Sequence, residues 1–169
     1  REAPTNEEFD LECKRLLSHI HYFDVLRSDR SISFHGLEAR TPFLDRNFVE
    51  TYLRIDLDER VSKGKSDKFI FREAFKNILP KEILERKKEA FSDGVSSKKK
   101  SWYEIIQHYT STKPMIKCYN NTPKTPEQSY YRSIFLQYYK ESSHVIPYFW
   151  MPKFIDAEDS SARTLKIYH

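Results

Sequence analysis

Residues 5–27 carry the clearest fold signal in the chain and read TNEEFDLECKRLLSHIHYFDVLR. Thr5 stands three residues before Glu8, which is the spacing of a capping box at the start of a helix. Apolar side chains then recur at intervals of three and four residues, as they do along one face of an α-helix. These are Phe9, Cys13, Leu16, Leu17, Ile20 and Phe23. The pattern predicts a long helix from about residue 6 to residue 27.

Outward from this stretch, the chain predicts further helices separated by polar or proline-containing segments. A helix is expected at Ser66–Leu79, where Pro80 ends it, with an inward face of Ile70, Ala74, Phe75 and Ile78. Thr125-Pro126-Glu127-Gln128 predicts another helix start, because Thr is a favoured N-cap and Pro is tolerated at the first helical position. Shorter helices are expected from Asp45 and at Trp102–Tyr109, and the charged residues 54–64 are expected to form a loop.

We find neither an internal repeat nor a convincing period-two strand in this sequence. The fold class predicted from the pattern is therefore mainly α. We expect one domain over residues 1–169, with a helical core at about 6–140 and an irregular tail at 141–169. The polar, acidic N-terminus lacks an initiator Met, and we interpret the chain as an excerpt of a longer protein.

The composition of the chain excludes several classes of protein. Of 169 residues, 38% are hydrophobic and 15% aromatic, which is too apolar for a disordered segment. No apolar stretch approaches the ~20 residues that span a bilayer, so no membrane association is expected. Cys13 and Cys118 stand far apart, which favours reduced thiols in the cytosol. The six histidines form no metal-binding signature, and a metal site built from protein ligands is not expected.

The scarcity of glycine limits how the chain can bind a nucleotide. Only three glycines occur, against a usual frequency of ~7%, so a complete glycine-rich phosphate loop is excluded. Gly64-Lys65-Ser66 resembles half of a Walker A motif, but the position required for its first glycine is occupied by Glu59. What remains there is a helix start between Lys65 and Lys68, which could attract an anion.

Two segments combine carboxylates and guanidinium groups in ways that fit either a surface or a site. Asp24 and Arg27 are three residues apart on a predicted helix end, as in an ordinary surface ion pair or in a charged wall of a pocket. Glu38 and Arg40 lie in HGLEARTPFLD, residues 35–45, where Pro42 constrains the backbone. Both could be loop charges, and a ligand site is the alternative.

The third candidate is the basic stretch RKKEAFSDGV, residues 86–95. A lysine on such a loop could neutralise the charge that develops on a phosphate leaving group. The alternative is a solvated basic segment that continues into Lys98, Lys99 and Lys100.

Taken together and in this order, these segments resemble the later part of the synthetase domain of class B asparagine synthetases, the glutamine-hydrolysing family. The matching stretches are HYFDVLRSDR, HGLEARTPFLD, GKSDKFIFREAFKNILPKEILERKKEAFSDGV, YNNTPKTPEQSYYRSIF and MPKFIDAEDSSARTL. The resemblance extends over residues 3–165, and within it the segment Ser97–Lys117 matches the family poorly. The resemblance implies the C-terminal helical portion of an α/β synthetase domain of the ATP-pyrophosphatase type, which is adenine nucleotide alpha hydrolase-like.

The resemblance also implies a reaction and a set of residue roles. In this family, ATP activates aspartate as β-aspartyl-AMP with release of pyrophosphate, and ammonia from glutamine then gives asparagine. Lys88 corresponds to the family lysine that contacts pyrophosphate, which makes it the expected catalytic residue. Asp24 and Arg27 match a helix on the aspartate side of the pocket, and Glu38 and Arg40 match a motif close to it. We expect these four to bind substrate or support its site.

The family resemblance also defines what this chain lacks. The family's ATP-gripping Ser-Gly-Gly-x-Asp-Ser-Ser loop and its N-terminal glutaminase, whose nucleophile is a cysteine, are absent from the sequence. We therefore expect the chain alone to be inactive, and cytoplasmic as part of the full enzyme. ATP is expected as a substrate, and Mg²⁺ is expected from the reaction rather than from ligands in this chain.

Two alternative functions stay open at the level of sequence. One is a related ATP-dependent amide-forming or β-lactam-forming synthetase with the same scaffold. The other is a helical module that binds nucleic acid through Arg86–Lys100, since basic and aromatic residues together can hold single strands. The small net charge of +4 disfavours nucleic acid as a partner.

Overall fold

The structure is a computed structural model that describes residues 2–61, 64, 66, 68–87, 94–96, 100–157, 159 and 161. The described part is mainly helical and contains no extended strand, which confirms the predicted helical character. The α-helices are α1 (Asn6–His19), α2 (Asp24–Ser33), α3 (Arg46–Arg54), α4 (Leu57–Arg60), α5 (Phe69–Ala74), α6 (Lys81–Leu84), α7 (Trp102–Ser111) and α8 (Pro126–Tyr138). Short 3₁₀ turns occupy Ile20–Tyr22, Pro42–Leu44 and Ser142–Val145.

The chain divides into two compact units. The first unit comprises Arg1–Lys88 with Pro152–Ile155, and the second comprises Glu89–Met151 with Asp156–His169.

Several helix starts follow directly from their N-cap residues. The hydroxyl of Thr5 accepts a hydrogen bond from the backbone N–H of Glu8 at 3.2 Å, and Thr125 accepts one from Gln128 at 3.2 Å. The Asp45 carboxylate caps α3 in the same way. Each cap satisfies one of the backbone donors that a helix start leaves without an intrahelical partner. The helices predicted at Trp102, at Pro126 and after Asp45 are all present in the structure, so these predictions are confirmed.

The single helix predicted from residue 6 to residue 27 is wrong. Helix α1 tightens into a 3₁₀ turn after His19, and Phe23 (φ −124°, ψ −95°) takes the backbone out of the helical region before α2 begins. His21, Tyr22 and Phe23 are weak helix formers, and the Tyr22 and Phe23 rings stack edge to face at 6.3 Å. Asp24 consequently opens α2, whereas the sequence placed it at a helix C-terminal end.

The helix predicted over Ser66–Leu79 is also too long. Lys68 has a left-handed backbone conformation (φ 57°), which an α-helix does not accommodate, so α5 starts only at Phe69. The helix ends at Ala74, and turns follow. Ala74 and Ile78 were expected to face inward, but both are exposed, with Ile78 at 72%. Residues 54–64 were expected to be a loop, and they contain the one-turn helix α4.

In the first unit, a network of charged side chains ties α1 to α4. Asp10 lies 2.6 Å from the Lys14 ammonium and 2.8 Å from Nη1 of Arg60, whose side chain is only 4% exposed. The Asp10–Arg60 pair is a close ion contact rather than an aligned hydrogen bond. Arg60 also donates from Nε to the carbonyl of Ile55 at 3.0 Å. The hydrogen bond from the Lys14 ammonium, and then the close contact with the Arg60 guanidinium, hold the pKa of Asp10 below its usual range.

Glu12 forms a second anchor on α1 within the same unit. Its carboxylate accepts two hydrogen bonds from Arg15 at 2.7 Å and one from the backbone N–H of Lys153 at 3.0 Å. These bonds, with that from Arg15 the largest cause, lower the pKa of Glu12 despite its burial. Glu12 thus fastens the segment Pro152–Ile155 to α1.

The second unit is organised by buried polar side chains on α7 and α8. Ser129 on α8 accepts a hydrogen bond from the backbone N–H of Ile116 at 2.8 Å. Arg132 is 3% exposed and donates to the carbonyls of Asn120 and Asn121 at 3.4 and 3.3 Å. Thr110 is fully buried and donates to the carbonyl of Ile106. The bonds of Ser129 and Arg132 fix the connection between the two helices, whereas the Thr110 bond lies within α7.

Large apolar side chains of the described part are often exposed. Only Ala3 and Val61 are buried hydrophobic residues there, while Phe34 is 84% and Leu37 63% exposed. Exposed apolar surface on this scale is typical of a surface that another polypeptide covers.

Candidate functional site

One face of α2 and the segment that follows the helix form an open cleft of about 500 Å³. A Schellman motif ends α2: the N–H of Gly36 bonds to the carbonyl of Ser33, and the N–H of Leu37 bonds to that of Ile32. Gly36 has φ +70°, a conformation that favours glycine. The resulting reversal brings residues 37–41 back along α2. The cleft is lined by Val25, Ser28, Asp29, Ser33, Leu37, Glu38, Ala39, Arg40 and Thr41.

Glu38 and Arg40, both predicted from the sequence, lie together at this cleft. Nη2 of Arg40 is 2.9 Å from Oε2 of Glu38, and the two side chains are 84% and 78% exposed. An ion pair so exposed contributes little to stability, at most ~1 kcal/mol. Each of the two side chains can therefore release the other and bind a ligand instead, with little loss of folding stability.

Asp24 and Arg27 form an ion pair with each other in the first turns of α2. They are not among the residues that line the cleft. The reason is helical geometry: each residue advances ~100° around the axis, so position 27 points away from the face that carries positions 25, 28, 29 and 33, and position 24 lies at the edge of that face. The structure thus brings Glu38 and Arg40 to the cleft and leaves Asp24 and Arg27 on a neighbouring face.

The sequence pattern did not indicate the polar residues that α2 contributes to the cleft, namely Ser28, Asp29 and Ser33. Their spacing, together with Val25, follows the i, i+3, i+4, i+8 pattern of one helical face. The signal was present in the sequence, but it could be recognised only once α2 was known to start at Asp24 and to include these positions.

Lys88, the predicted catalytic residue, lies outside the described residues. The chain that leads to it is described as far as Lys87, and Arg72 on α5 holds this part. Its guanidinium donates to the carbonyl of Leu84, and its Nη2 donates to the carbonyl of Arg86 at 2.9 Å. Lys65, from the rejected Walker-like stretch, also lies outside the described residues.

Burial also raises the pKa of other ionisable groups in the described part. Burial raises the pKa of the half-buried Cys13 thiol, which keeps it protonated. Burial, and secondarily the charge of Asp159, raises the pKa of Glu127 in the second unit, while Gln107 opposes this by donating to its carboxylate. No helix in the described part is long and apolar enough to cross a membrane.

Comparison with known proteins assigns the chain to a family. The asparagine synthase family model matches residues 1–161. The chain is 46% identical to "Asparagine synthetase [glutamine-hydrolyzing]" of Gallus gallus over 176 aligned residues, which cover 98% of this chain and 31% of that protein. The proteins of the same name from Mus musculus (46%) and Homo sapiens (44%) match over the same shares.

The chain therefore spans about a third of the length of the curated relatives it matches. No solved structure matches it at a significant level. The family match nevertheless covers nearly every residue and includes both units of the structure. The chain belongs to the asparagine synthase family.

Proposed function

We propose that this chain is the C-terminal helical part of the ATP-pyrophosphatase-type synthetase domain of a glutamine-hydrolysing asparagine synthetase. The observation that carries the proposal is the family match over residues 1–161, joined to relatives that bear this name. The mainly helical structure supports placing the chain in the helical rather than the sheet-containing part of such a domain.

The proposed reaction has two steps. A side-chain carboxylate oxygen of aspartate attacks the α-phosphorus of ATP, the bond between the α-phosphorus and the bridging oxygen breaks, and pyrophosphate leaves. Ammonia, which the proposal derives from glutamine, then attacks the carbonyl carbon of β-aspartyl-AMP. The C–O bond to AMP breaks, a proton is lost from nitrogen, and asparagine forms.

In this reaction we assign Lys88 to the pyrophosphate leaving group. Negative charge grows on the bridging oxygen as the bond to the α-phosphorus breaks. A lysine ammonium at that position stabilises the transition state more than the ground state, which is the condition for accelerating the step.

We assign the charged residues near the cleft to the amino-acid substrate. Aspartate carries an ammonium group and two carboxylates, so a site for it needs charges of both signs. Arg40 offers a planar fork that matches a carboxylate, and Glu38 offers an acceptor for an ammonium group. Asp24 and Arg27, on the neighbouring face of α2, are assigned a supporting role.

The proposal includes that this chain alone does not catalyse the reaction. Glu38 and Arg40 are largely exposed, and Phe34 and Leu37 beside them are exposed as well. A carboxylate–guanidinium site is effective in a water-excluded pocket, where charge interactions are much stronger than at an exposed surface. The other walls of the pocket, including the ATP-gripping loop, are proposed to come from the rest of the protein.

Mg²⁺ is expected to accompany ATP in this reaction. The described residues hold no group of three or more His, Cys, Asp or Glu side chains placed to bind a metal ion. We therefore assign no Mg²⁺ ligand to the described part of the chain, and no step of the mechanism is assigned to the ion.

The proposal is tested by measuring pyrophosphate release from ATP and aspartate with the isolated chain and with the full-length protein. We expect release only from the full-length protein. There, Lys88→Ala should lower the rate of pyrophosphate release by about 100-fold or more, because the leaving-group charge is no longer stabilised. Glutaminase activity of the same variant should be unchanged.

A matched control is Lys76→Ala, which removes an exposed lysine that pairs with Glu73 in the same unit. This control should leave both activities unchanged. Pyrophosphate release by the isolated chain would refute the predicted inactivity. An unchanged rate of pyrophosphate release in Lys88→Ala would refute the assigned role, and equal loss of both activities would indicate a folding defect instead.

A further inference from the structure

Arg72 connects two parts of the first unit that are distant in sequence. It lies on α5 and donates hydrogen bonds to the carbonyls of Leu84 and Arg86, 12 and 14 residues further along the chain. The contact with Arg86 O measures 2.9 Å. These carbonyls belong to the segment that leaves the short helix α6 and leads to Lys88.

The chemistry of the guanidinium group makes this contact a fixed one. The last carbonyls of a helix have no intrahelical partners, and α6 is only one turn long. Arginine presents several N–H donors in a rigid planar fork, so a single side chain can hold two carbonyls in a defined orientation. A lysine ammonium at the same place would be a flexible point charge without this geometry.

The helix that carries Arg72 is itself held in place by aromatic contacts. The Phe71 ring packs edge to face on Phe43 at 5.4 Å and against Phe75 at 4.8 Å, measured between ring centroids. Phe43 lies in the 3₁₀ turn Pro42–Leu44, directly after the cleft residues Arg40 and Thr41. Helix α5 therefore contacts both parts of the unit: Arg72 binds the backbone at Leu84 and Arg86, and Phe71 packs on Phe43 next to the cleft.

We propose that Arg72 is a positioning residue for Lys88, acting through the backbone carbonyls of Leu84 and Arg86. This inference rests on the proposed function, in which Lys88 contacts the pyrophosphate leaving group. Displacing a catalytic group by ~1 Å can lower a rate by about 100-fold even when the substituted residue lies away from the chemistry. Arg72 fixes the backbone at Arg86, which stands two residues before Lys88 in the sequence.

The test compares variants of the full-length protein in steady-state pyrophosphate release. Arg72→Lys keeps the charge and removes the fork, and we expect it to lower kcat roughly 10-fold to 100-fold. The KM for aspartate should change by less than about twofold, since the cleft residues are untouched, and glutaminase activity and Tm should match the unsubstituted protein. The control Arg54→Lys changes an exposed arginine on α3, which is 3.7 Å from Glu50, and should change none of these values.

The decisive measurement is the double variant Arg72→Lys with Lys88→Ala. If Arg72 acts through Lys88, adding Arg72→Lys to Lys88→Ala lowers kcat by little more, because the group it positions is already gone. The same loss of kcat from Arg72→Lys in both backgrounds would overturn the inference while leaving the role of Lys88 intact. An unchanged kcat in Arg72→Lys would overturn it as well. A normal rate in Lys88→Ala would instead refute the proposed function.

Should Arg72→Lys reduce Tm, a second variant keeps the test informative. In Arg72→Ala, added guanidinium ion can occupy the space of the missing side chain and bond to the two carbonyls. We expect millimolar guanidinium chloride, but not equal sodium chloride, to restore part of kcat when Lys88 is present. Equal recovery of the small residual rate in the Lys88→Ala background would contradict a role through that lysine.

Discussion

The first unit contains two sets of carboxylate–cation pairs in opposite surroundings. On α1, Asp10 meets Arg60, whose side chain is 4% exposed, and the pair is reinforced by Lys14 and by the Ile55 carbonyl. At the cleft, Glu38 meets Arg40 at nearly the same distance, 2.9 Å against 2.8 Å, with both side chains about four-fifths exposed. The residue chemistry is similar, and the difference lies in burial and in the number of partners.

This contrast separates the pairs that hold the fold from the pairs that remain available to a ligand. A buried charge that loses its partner is left without solvation, so a buried pair resists disruption. An exposed pair loses little when broken, because water replaces each partner. Glu38 and Arg40 can therefore change partners when a substrate arrives, whereas Asp10 and Arg60 cannot.

The largest effect on stability is expected from Arg60→Ala in the full-length protein. The variant removes the buried Arg60 guanidinium and leaves Asp10 with the more exposed Lys14 alone, and breaking a buried pair destabilises a protein by about 3 kcal/mol. The apparent Tm, followed by circular dichroism, should fall by several degrees. Arg54→Ala, which removes an exposed arginine of neighbouring helix α3, is the matched control and should leave Tm nearly unchanged.

A double variant determines whether the cost comes from the carboxylate that has lost Arg60. Adding Asp10→Asn to Arg60→Ala removes that carboxylate, which keeps only Lys14 as a cationic partner, and should recover part of the lost stability. If the two substitutions simply add, Asp10 and Arg60 are not energetically coupled, and the distinction between the two sets of pairs fails.

Much of the helical architecture could be predicted because it depends on local chemistry. Thr5, Asp45 and Thr125 act as N-caps with their own neighbours, and such contacts are encoded within four residues. The breaks at Phe23 and Lys68 could not be predicted from periodicity. The apolar pattern runs through Phe23 without a break, and it begins only after Lys68, so neither backbone conformation is recorded in it.

The sequence predicted which charged residues belong to the candidate site better than it predicted how the site is arranged in space. Glu38 and Arg40 stood out because opposite charges flank a constrained segment, and they do lie at a cleft. Asp29 escaped notice, since its place on the cleft depends on where α2 begins. The contact between Arg72 and Arg86 spans 14 residues, and no spacing rule in the sequence indicates it.

A smaller and pH-dependent effect is expected from Glu12→Gln. The pKa of Glu12 is lowered in the folded protein, chiefly by Arg15, so its ionised form stabilises the fold above the ordinary carboxyl pKa. That contribution is lost as the pH falls through the lowered value. At pH 7 the variant should be less stable by about 1 kcal/mol, and below about pH 4 the difference should shrink.

Urea unfolding midpoints of the two proteins at pH 7 and at pH 3.5 measure this effect. Because Asp10 remains in both proteins, its own titration affects them equally and cancels in the comparison. A difference that stays constant between the two pH values would show that Glu12 stabilises the fold by packing rather than by charge.

The smallest effect on stability is expected at the cleft, from Arg40→Gln. The guanidinium is largely exposed and its pairing with Glu38 is weak, so the stability of the full-length protein should change by less than ~0.5 kcal/mol. Substrate binding should respond differently, because a charge-assisted hydrogen bond to a carboxylate is worth about 2 kcal/mol. The KM for aspartate should rise by about tenfold or more, while the KM for glutamine in the glutaminase reaction stays the same.

Arg54→Gln provides the comparison, because Arg54 also belongs to an exposed pair in the first unit. It should match Arg40→Gln in Tm and differ from it in the KM for aspartate. A marked loss of stability in Arg40→Gln would show that the Glu38–Arg40 pair stabilises the fold, as the pairs on α1 do. An unchanged KM would remove Arg40 from the aspartate site and leave the cleft without its proposed ligand.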